Sequence, residues 1–447
     1  MASPLLSYSE AAEQVHRFIL AIAEGGEIPF GPGSISPNSA DSFPVLQPAS
    51  SKAEEIVPLA SAADRVLAAA IRADRDQPPF PRSTRDGFAC RAVEASTHQL
   101  LFLAGRVRAG ETPAGALGAG EAWEIMTGAP VPLGADAVFM VEHAEHSLNR
   151  APDPPSEFVR LLAPRTVQPG ENIVPQGSEA RAGDLLVPPG VRLTAPQIAI
   201  AAQCGYSTLA VVPRPKVAIL STGDELVPVE NIPAPSQIRN SNSPMLAALV
   251  SAAGGEPVTL PSVPDQEAPL DAAISRSLSA DLLLITGGIS AGRFDLVEDA
   301  LARAGARFFF GGVAIQPGKP VVFGQLARSG ARPLPFFALP GNPISSAVTF
   351  HLFAAPLLAS LAEDFGPQPR FVLAQLTGEW RGKPGLTRFL PAWCDFGPAP
   401  ALSTQVRLVP WQGSGDIAAF ARSNCFLVVP AETENLSQGS IVQILLP

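Results

Sequence analysis

The chain has 447 residues, 46% of them hydrophobic, with 48 Pro, 38 Gly and a net charge of −10 at a pI of about 5.1. Its length suits about three domains, and its Pro and Gly content, below that of low-complexity chains, marks many turns and short strands. The acidic balance argues against a general nucleic-acid or anionic-membrane binder, which needs a basic face.

A helix is expected over residues 7–23, with Ser9 as N-cap and Val15, Phe18, Ile19 and Ile22 at helical spacing. Residues 24–51, rich in Gly, Pro and Ser, read as a loop or insertion. The run PLASAADRVLAAA predicts a second helix over 58–70, ending near Ala73. From 77 to 186 the pattern is turn-rich with short strands, including 123–126 and 137–141. A short helix over 195–202 and a strand over 209–212 follow. From Lys216 strands at 217–220, 257–260 and 282–285 alternate with helices at 243–253, 268–279 and 296–304, and a long helix spans 344–361. For the helix at 243, Ser243 fits N-cap, Pro244 the first helical position and Gly254 the position just past the end. This alternation predicts a doubly wound α/β domain with a parallel sheet, whose ligands sit beyond the carboxyl ends of the strands. After Pro367 five evenly spaced short strands predict a small closed β-barrel. The fold class is therefore multidomain α/β plus β, with a β-rich middle region.

Cys90, Cys204, Cys394 and Cys425 form no CxxC pair, which excludes zinc-ribbon and thioredoxin readings, and their scatter suits a reducing compartment. No basic stretch followed by an apolar run opens the chain, and the apolar runs fall short of a membrane span. The expectation is a soluble, cytoplasmic protein without membrane or nucleic-acid partners.

The chemistry concentrates between 281 and 346. Three apolar strand-like runs there end in turns: Gly287-Gly288-Ile289-Ser290-Ala291-Gly292, Gln316-Pro317-Gly318-Lys319-Pro320, and Pro340-Gly341-Asn342-Pro343-Ile344-Ser345-Ser346. Such turns leave backbone N–H groups free and let a ligand approach the main chain. The helices after the first and third make anion sites. A pocket for a phosphorylated or otherwise anionic ligand follows. Asp224, Glu225, Asp265 and Asp295 lie at strand ends or the turns after them, the oxygen chemistry that suits Mg²⁺ beside substrate phosphates. Capping explains Asp295 equally, and a solvated turn explains Glu225. Lys319 is one of four lysines, placed where it can meet an oxyanion as a point charge or simply stand on a surface turn. Asp86, in Arg85-Asp86-Gly87, and Thr127, in Met126-Thr127-Gly128, read in isolation as ordinary turns. His143 and His146 sit beside Glu142 and Glu145 without a helix to align them, so no metal is assigned there.

Taken together, seven motifs resemble the molybdopterin molybdotransferase family, known as MoeA in bacteria and as the E domain of gephyrin in animals. They are RSTRDGFACRA at 82–92, MTGAPVPLGADAVFMVEH at 126–143, PGENIVPQGSEARAGDLL at 169–186, STGDEL at 221–226, TGGISAGRFD at 286–295, IQPGKP at 315–320 and LPGNPISS at 339–346. They stand in the family's order and cover most of the chain from about residue 59. The resemblance implies an elongated homodimer. Its parts would be a discontinuous base at 1–73 and 163–213, an inserted β-rich lobe at 74–162, an α/β domain at 214–365 that resembles the molybdopterin adenylyltransferase fold, and a barrel at 366–447. It implies insertion of molybdate into adenylylated molybdopterin with release of AMP, assisted by Mg²⁺, and transient contact with a molybdopterin adenylyltransferase. In that scheme Glu225, Asp265 and Asp295 hold Mg²⁺ and the pyrophosphate region. Thr222, Gly223, Asp224, Gly287, Gly288, Ser290, Pro340, Gly341, Asn342 and Pro343 line the substrate, and Lys319 and Ser345, with Pro317 and Gly318, face molybdate. Asp86 and Thr127 match family positions on the lobe, which would reach over the partner's α/β domain and make each site shared. The alternatives are an adenylyltransferase, a scaffold with a weakened site, and a tungstate-specific homologue.

This chain departs from the family pattern in four places. Gln316 replaces the first Lys of Lys-Pro-Gly-Lys-Pro and removes one positive charge. Glu179 stands for the usual Asp in a Gly-Glu-Asp turn. The barrel's Gly-Arg-x-x-Phe becomes Gly385-Leu386-Thr387-Arg388-Phe389, displacing an Arg. The segment 30–51 also looks longer than the family's connection.

Overall fold

A computed structural model describes residues 5–24, 54–149, 156–288, 296–329, 332–364, 369–395 and 404–447. The expected loop at 24–51 falls almost entirely outside these residues.

The six-stranded sheet that positions the site runs in the order Glu256–Thr259, Lys216–Ser221, Leu282–Thr286, Leu334–Leu339, Val322–Leu326, Ala306–Gly311. The first four strands are parallel. Val322–Leu326 alone runs the other way, pairing antiparallel with both its neighbours, a correction to the all-parallel expectation. Its reversal has a local cause, because it joins Leu334–Leu339 by a short connection, too short for a parallel crossover. Every residue of Leu282–Thr286 and Leu334–Leu339 is buried, as expected where helices cover both faces.

The two-residue alternation sorts these side chains. Val217, Ile219, Leu282, Leu284, Phe337 and Leu339 pack on one face with Leu246, Val250 and Val348. Ala218, Leu220, Leu283, Ile285, Phe336 and Ala338 pack on the other with Leu270, Ile274, Val297 and Leu301. Each fully buried aliphatic side chain contributes about 1.5–3 kcal/mol, so this double core holds the strand ends rigidly.

Five strands, Arg370–Leu376, Thr387–Asp395, Gln405–Leu408, Cys425–Val429 and Ile441–Leu446, close into the expected barrel. Ile315–Gln316 adds to it as a parallel strand, so the Gln316–Lys319 turn leaves the α/β region along the barrel's edge. The helix Tyr8–Glu24 buries Ala11, Val15 and Phe18 in a core shared by the sheet and by Phe389, Phe426 and Leu445 of the barrel.

The middle region forms a six-stranded sheet ordered Ala137–Met140, Gly87–Cys90, Glu121–Ile125, Leu101–Val107, Ser156–Leu161, Ala144–Asn149. Beside it Glu55–Pro58 pairs with Thr208–Val211, and Ile71–Arg72 with Leu185–Val187.

Four local expectations need correction. The helix over 58–70 does not form: a single 3₁₀ turn at Leu59–Ser61 precedes a tight turn and two isolated bridges at Val66 and Leu67. Leu67 N–H bonds Val191 O and Ala68 N–H bonds Ala210 O, so pairing with distant strands outweighs the alanine-rich propensity. The first helix is capped by Ser7, not Ser9. Ser7 Oγ accepts from Glu10 N–H at 3.2 Å while Glu10 Oε2 accepts from Ser7 N–H at 2.7 Å, a capping box. The helix at 243 begins at Asn242, and Asn240 Oδ1, not a cap by Ser243, accepts the Ser243 N–H at 3.0 Å. Gly254 does sit past the end with φ +87.

The fourth concerns the long helix. Pro343–Leu361 is helical throughout but has a π-helical turn at Phe350–Ala354. Pro356 offers no N–H to the preceding turn, and the π turn lies just where that bond is missing. By length and composition this helix could span a membrane, contrary to the reading of the apolar runs, yet 78% of its most apolar window is buried inside the molecule.

Candidate active site

The strand order reverses between Lys216–Ser221 and Leu282–Thr286, and in open α/β sheets ligands bind beyond the carboxyl ends at such a point. The turns after these two strands meet there. Thr222 N–H donates to Thr286 O at 3.0 Å. Gly287 has φ +94, and a Cβ on it would lie 2.1 Å from Thr222 O. Only glycine allows that approach. Gly341, from the third turn, reaches van der Waals contact: its Cβ would sit 3.5 Å from Gly287 Cα.

Buried polar side chains tie the turns together. Asn242 Nδ2 donates to Thr286 Oγ1 at 2.9 Å and to Gly341 O at 2.6 Å. Ser346 Oγ bonds Pro340 O and lies 3.2 Å from Thr286 Oγ1. Ser221 Oγ lies 2.7 Å from Ser243 Oγ, and Asn240 Nδ2 reaches Ser243 Oγ at 2.9 Å and Ser262 Oγ at 2.8 Å. Buried polar groups left unpaired cost about 1–3 kcal/mol each, so this lattice locks the strand ends into one arrangement. Ser346 belongs to the third turn that sequence reading singled out, but Asn242 and Asn240 were missed. The Asn-Ser-Asn-Ser run at 240–243 was their signal, and it was spent on one helix cap.

At the rim, the predicted carboxylates gather around Thr222 and Gly223. Thr222 Oγ1 donates to Asp265 Oδ1, and Asp265 N–H donates to Asp224 Oδ1 at 3.1 Å. A Cβ on Gly223 would meet the Glu225 carboxylate at 2.6 Å, so Glu225 folds back over that glycine. Asp224 and Glu225 are exposed and Asp265 half-buried. Among the described residues no three His, Cys, Asp or Glu side chains converge into a metal cage. Hard oxygens facing solvent suit a Mg²⁺ that keeps waters and takes substrate phosphate oxygens. Asp295 and Ser290, expected here, lie outside the described residues. Gly288, with φ +62, packs against Val297 at the start of the next helix.

The Lys319 turn is joined to the third turn by packing. A Cβ on Gly318 would lie 2.7 Å from Thr349 Cγ2, and Thr349 Oγ1 donates to Ser345 O at 2.8 Å. Pro317 is buried and Lys319 exposed. Ser345, expected to face an oxyanion, is only 4% exposed. Gln316 pairs with Arg388 across the parallel strands, so the position lacking a charge runs beside an arginine. Asn342 Nδ2 reaches barrel Ser414 Oγ at 2.9 Å, and Pro343 opens the helix.

Asp86 and Thr127 lie apart from this crevice in sequence and form their own pair on the lobe. Asp86 Oδ1 accepts from Thr127 N–H at 2.6 Å and from Thr127 Oγ1 at 2.8 Å. These two donors hold the exposed carboxyl below its usual pKa. Glu179 pairs with Arg82 at 2.8 Å.

Comparison with known proteins finds matches over most of the chain. Residues 7–205 match the MoeA N-terminal region (domain I and II), 218–360 a probable molybdopterin binding domain, and 373–446 the MoeA C-terminal region (domain IV). The molybdopterin molybdenumtransferase of Bacillus subtilis is 34% identical over 398 residues, covering 88% of this chain and 89% of that protein. That of Nostoc sp. is 32% identical over 399 residues, covering 88% of each. The crystal structure of the molybdopterin biosynthesis moeA protein from Pyrococcus horikoshii OT3 superposes with a TM-score of 0.74 at 27% identity, covering 99% of this chain and 100% of that one.

Proposed function

The chain belongs to the molybdopterin molybdenumtransferase family, and we propose that its crevice inserts molybdate into adenylylated molybdopterin with release of AMP. The observation that carries this reading is the meeting of the Thr222, Gly287 and Gly341 turns within van der Waals reach at the sheet's switch point. Backbone N–H groups of these turns would hold the pyrophosphate, and their rigidity would keep its scissile P–O bond in place. Glu225, Asp265 and Asp295 would hold Mg²⁺, with Asp224 orienting Asp265 through its backbone N–H. When bound, the ion neutralises charge on the pyrophosphate. Lys319 would meet the molybdate oxyanion, with Arg388, the register partner of Gln316, as one source of the charge that Gln316 lacks. The dithiolene sulfurs belong to the substrate, so no protein thiol is required. All four cysteines are buried and free, which suits a cytoplasmic setting.

Asp86 and Thr127 would complete the site from the lobe of a second subunit, making a homodimer with shared sites. A molybdopterin adenylyltransferase would supply the adenylylated substrate by transient contact. The test is AMP release from adenylylated molybdopterin with Mg²⁺ as molybdate is titrated. Molybdate-dependent release is expected. Substrate binding without release would shift the assignment to a scaffold, and release with tungstate alone would change the oxyanion. Gln316→Lys is expected to tighten the molybdate dependence, and an unchanged titration would remove Gln316 from the site.

A further inference from the structure

The outer wall of the barrel carries a groove of about 450 Å³ lined by Trp393, Arg407, Val409, Pro410 and Arg422. It arises from the strand alternation. On Thr387–Asp395, Ala392 and Cys394 point into the barrel core while Trp393 faces out. Arg407 is the register partner of Trp393 on the next strand, and its guanidinium carbon lies 5.9 Å from the indole ring centroid. Arg422 follows the short helix Ile417–Ala421 and closes the groove from the other side. The indole is 40% exposed, a large ring left in water.

Among the described residues neither the Arg407 nor the Arg422 side chain forms a salt bridge or a side-chain hydrogen bond, although the Arg422 charge is near enough to Asp416 to help lower its pKa. The acidic residues on the same elements are Asp395, at the end of the strand bearing Trp393, and Asp416. The latter already accepts the backbone N–H groups of Gln412 and Ala419. Two guanidinium groups without a salt bridge, one of them over a half-exposed indole, form a locally basic patch on a chain of net charge −10. The ring offers a stacking face, Val409 and Pro410 offer apolar walls, and the arginines offer planar donor forks matched to phosphate. The volume suits a single small ligand, not a long segment of another chain.

We propose that this groove binds a small aromatic phosphate, its ring against Trp393 and its phosphate on Arg422 and Arg407. The assignment is independent of the crevice, which shares none of these residues.

The test is calorimetric titration of the full chain with phenyl phosphate, and in parallel with phenol, inorganic phosphate and AMP. Wild type is expected to show saturable binding of phenyl phosphate and at least about tenfold weaker binding of phenol or phosphate alone. Trp393→Ala and Arg422→Ala are each expected to weaken it by about tenfold or more, as loss of stacking or of a charged fork would. Both side chains are exposed, so unchanged melting curves check that the variants are folded. A Trp393-dependent response to AMP would identify the ligand as a nucleotide; a response to phenyl phosphate alone would point to a non-nucleotide ester. Molybdate-dependent AMP release is expected to be unaffected in both variants. Binding that is absent in wild type at millimolar ligand, equal in the variants, or matched by phosphate alone overturns the proposal. So does Trp393-dependent capture of an acidic peptide in place of phenyl phosphate.

Discussion

The crevice and the lobe each bring residues of the proposed site together, by opposite means. In the crevice, Asn242, Thr286 and Ser346 are buried and bonded to one another, and glycines 287 and 341 let three backbones nearly touch. On the lobe, Asp86 and Thr127 are exposed, and the Asp86 carboxylate bonds Thr127. Order in the crevice is therefore part of the fold's stability, whereas order on the lobe is not. A substitution in the first should act through structure and chemistry together, and one in the second through chemistry alone.

The sharpest way to break that contrast is Gly287→Ala. Its Cβ would overlap Thr222 O in a left-handed conformation, so a loss of at least about 3 kcal/mol is expected along with activity. A chemical-denaturation midpoint near wild type would show that the turns are not packed as described.

Acid probes the same half of the molecule. His351, in the π turn after the third loop, is buried and its pKa is lowered by desolvation from 6.5 to about 4. Its Nε2 has no hydrogen-bond partner among the described residues. Between those two values the unfolded chain binds the proton and the folded chain does not. The contribution is complete above pH 6.5 and is lost as pH falls toward 4, a change of about 3 kcal/mol. His351→Leu should flatten that part of the stability–pH curve, and an unchanged slope would reject the assignment.

Asn242→Ala should cost about 2 kcal/mol by freeing Gly341 O and one bond to Thr286, and should lower affinity for the nucleotide substrate. Asp86→Ala should be the quietest in stability, within about 0.5 kcal/mol by thermal melting, while AMP release falls by about a hundredfold or more. A large stability loss in Asp86→Ala would erase the distinction between the two regions.

The same contrast explains what could be read from the chain beforehand. Apolar runs ending in glycine-rich turns announced the strand ends, because continuous burial and positive φ both leave a mark on composition. The barrel announced itself by even spacing. Residues 58–70 misled, since alanine-rich local preference said nothing of the backbone partners at 191 and 210. Asn242 stayed hidden because its value lies in reaching Thr286 and Gly341, 44 and 99 residues away. The Asp86–Thr127 pair spans 41 residues and drew notice only through family resemblance, since each half alone is an ordinary turn.

The central claim is that crevice and lobe serve one site contributed by two chains. It is tested most directly by mixing Glu225→Ala and Asp86→Ala chains, each inactive alone, and measuring molybdate-dependent AMP release after subunit exchange. Random reassortment makes half of the dimers mixed, each with one intact site, so recovery of about a quarter of wild-type activity is predicted. No recovery, in mixtures shown to contain mixed dimers, would contradict the shared site.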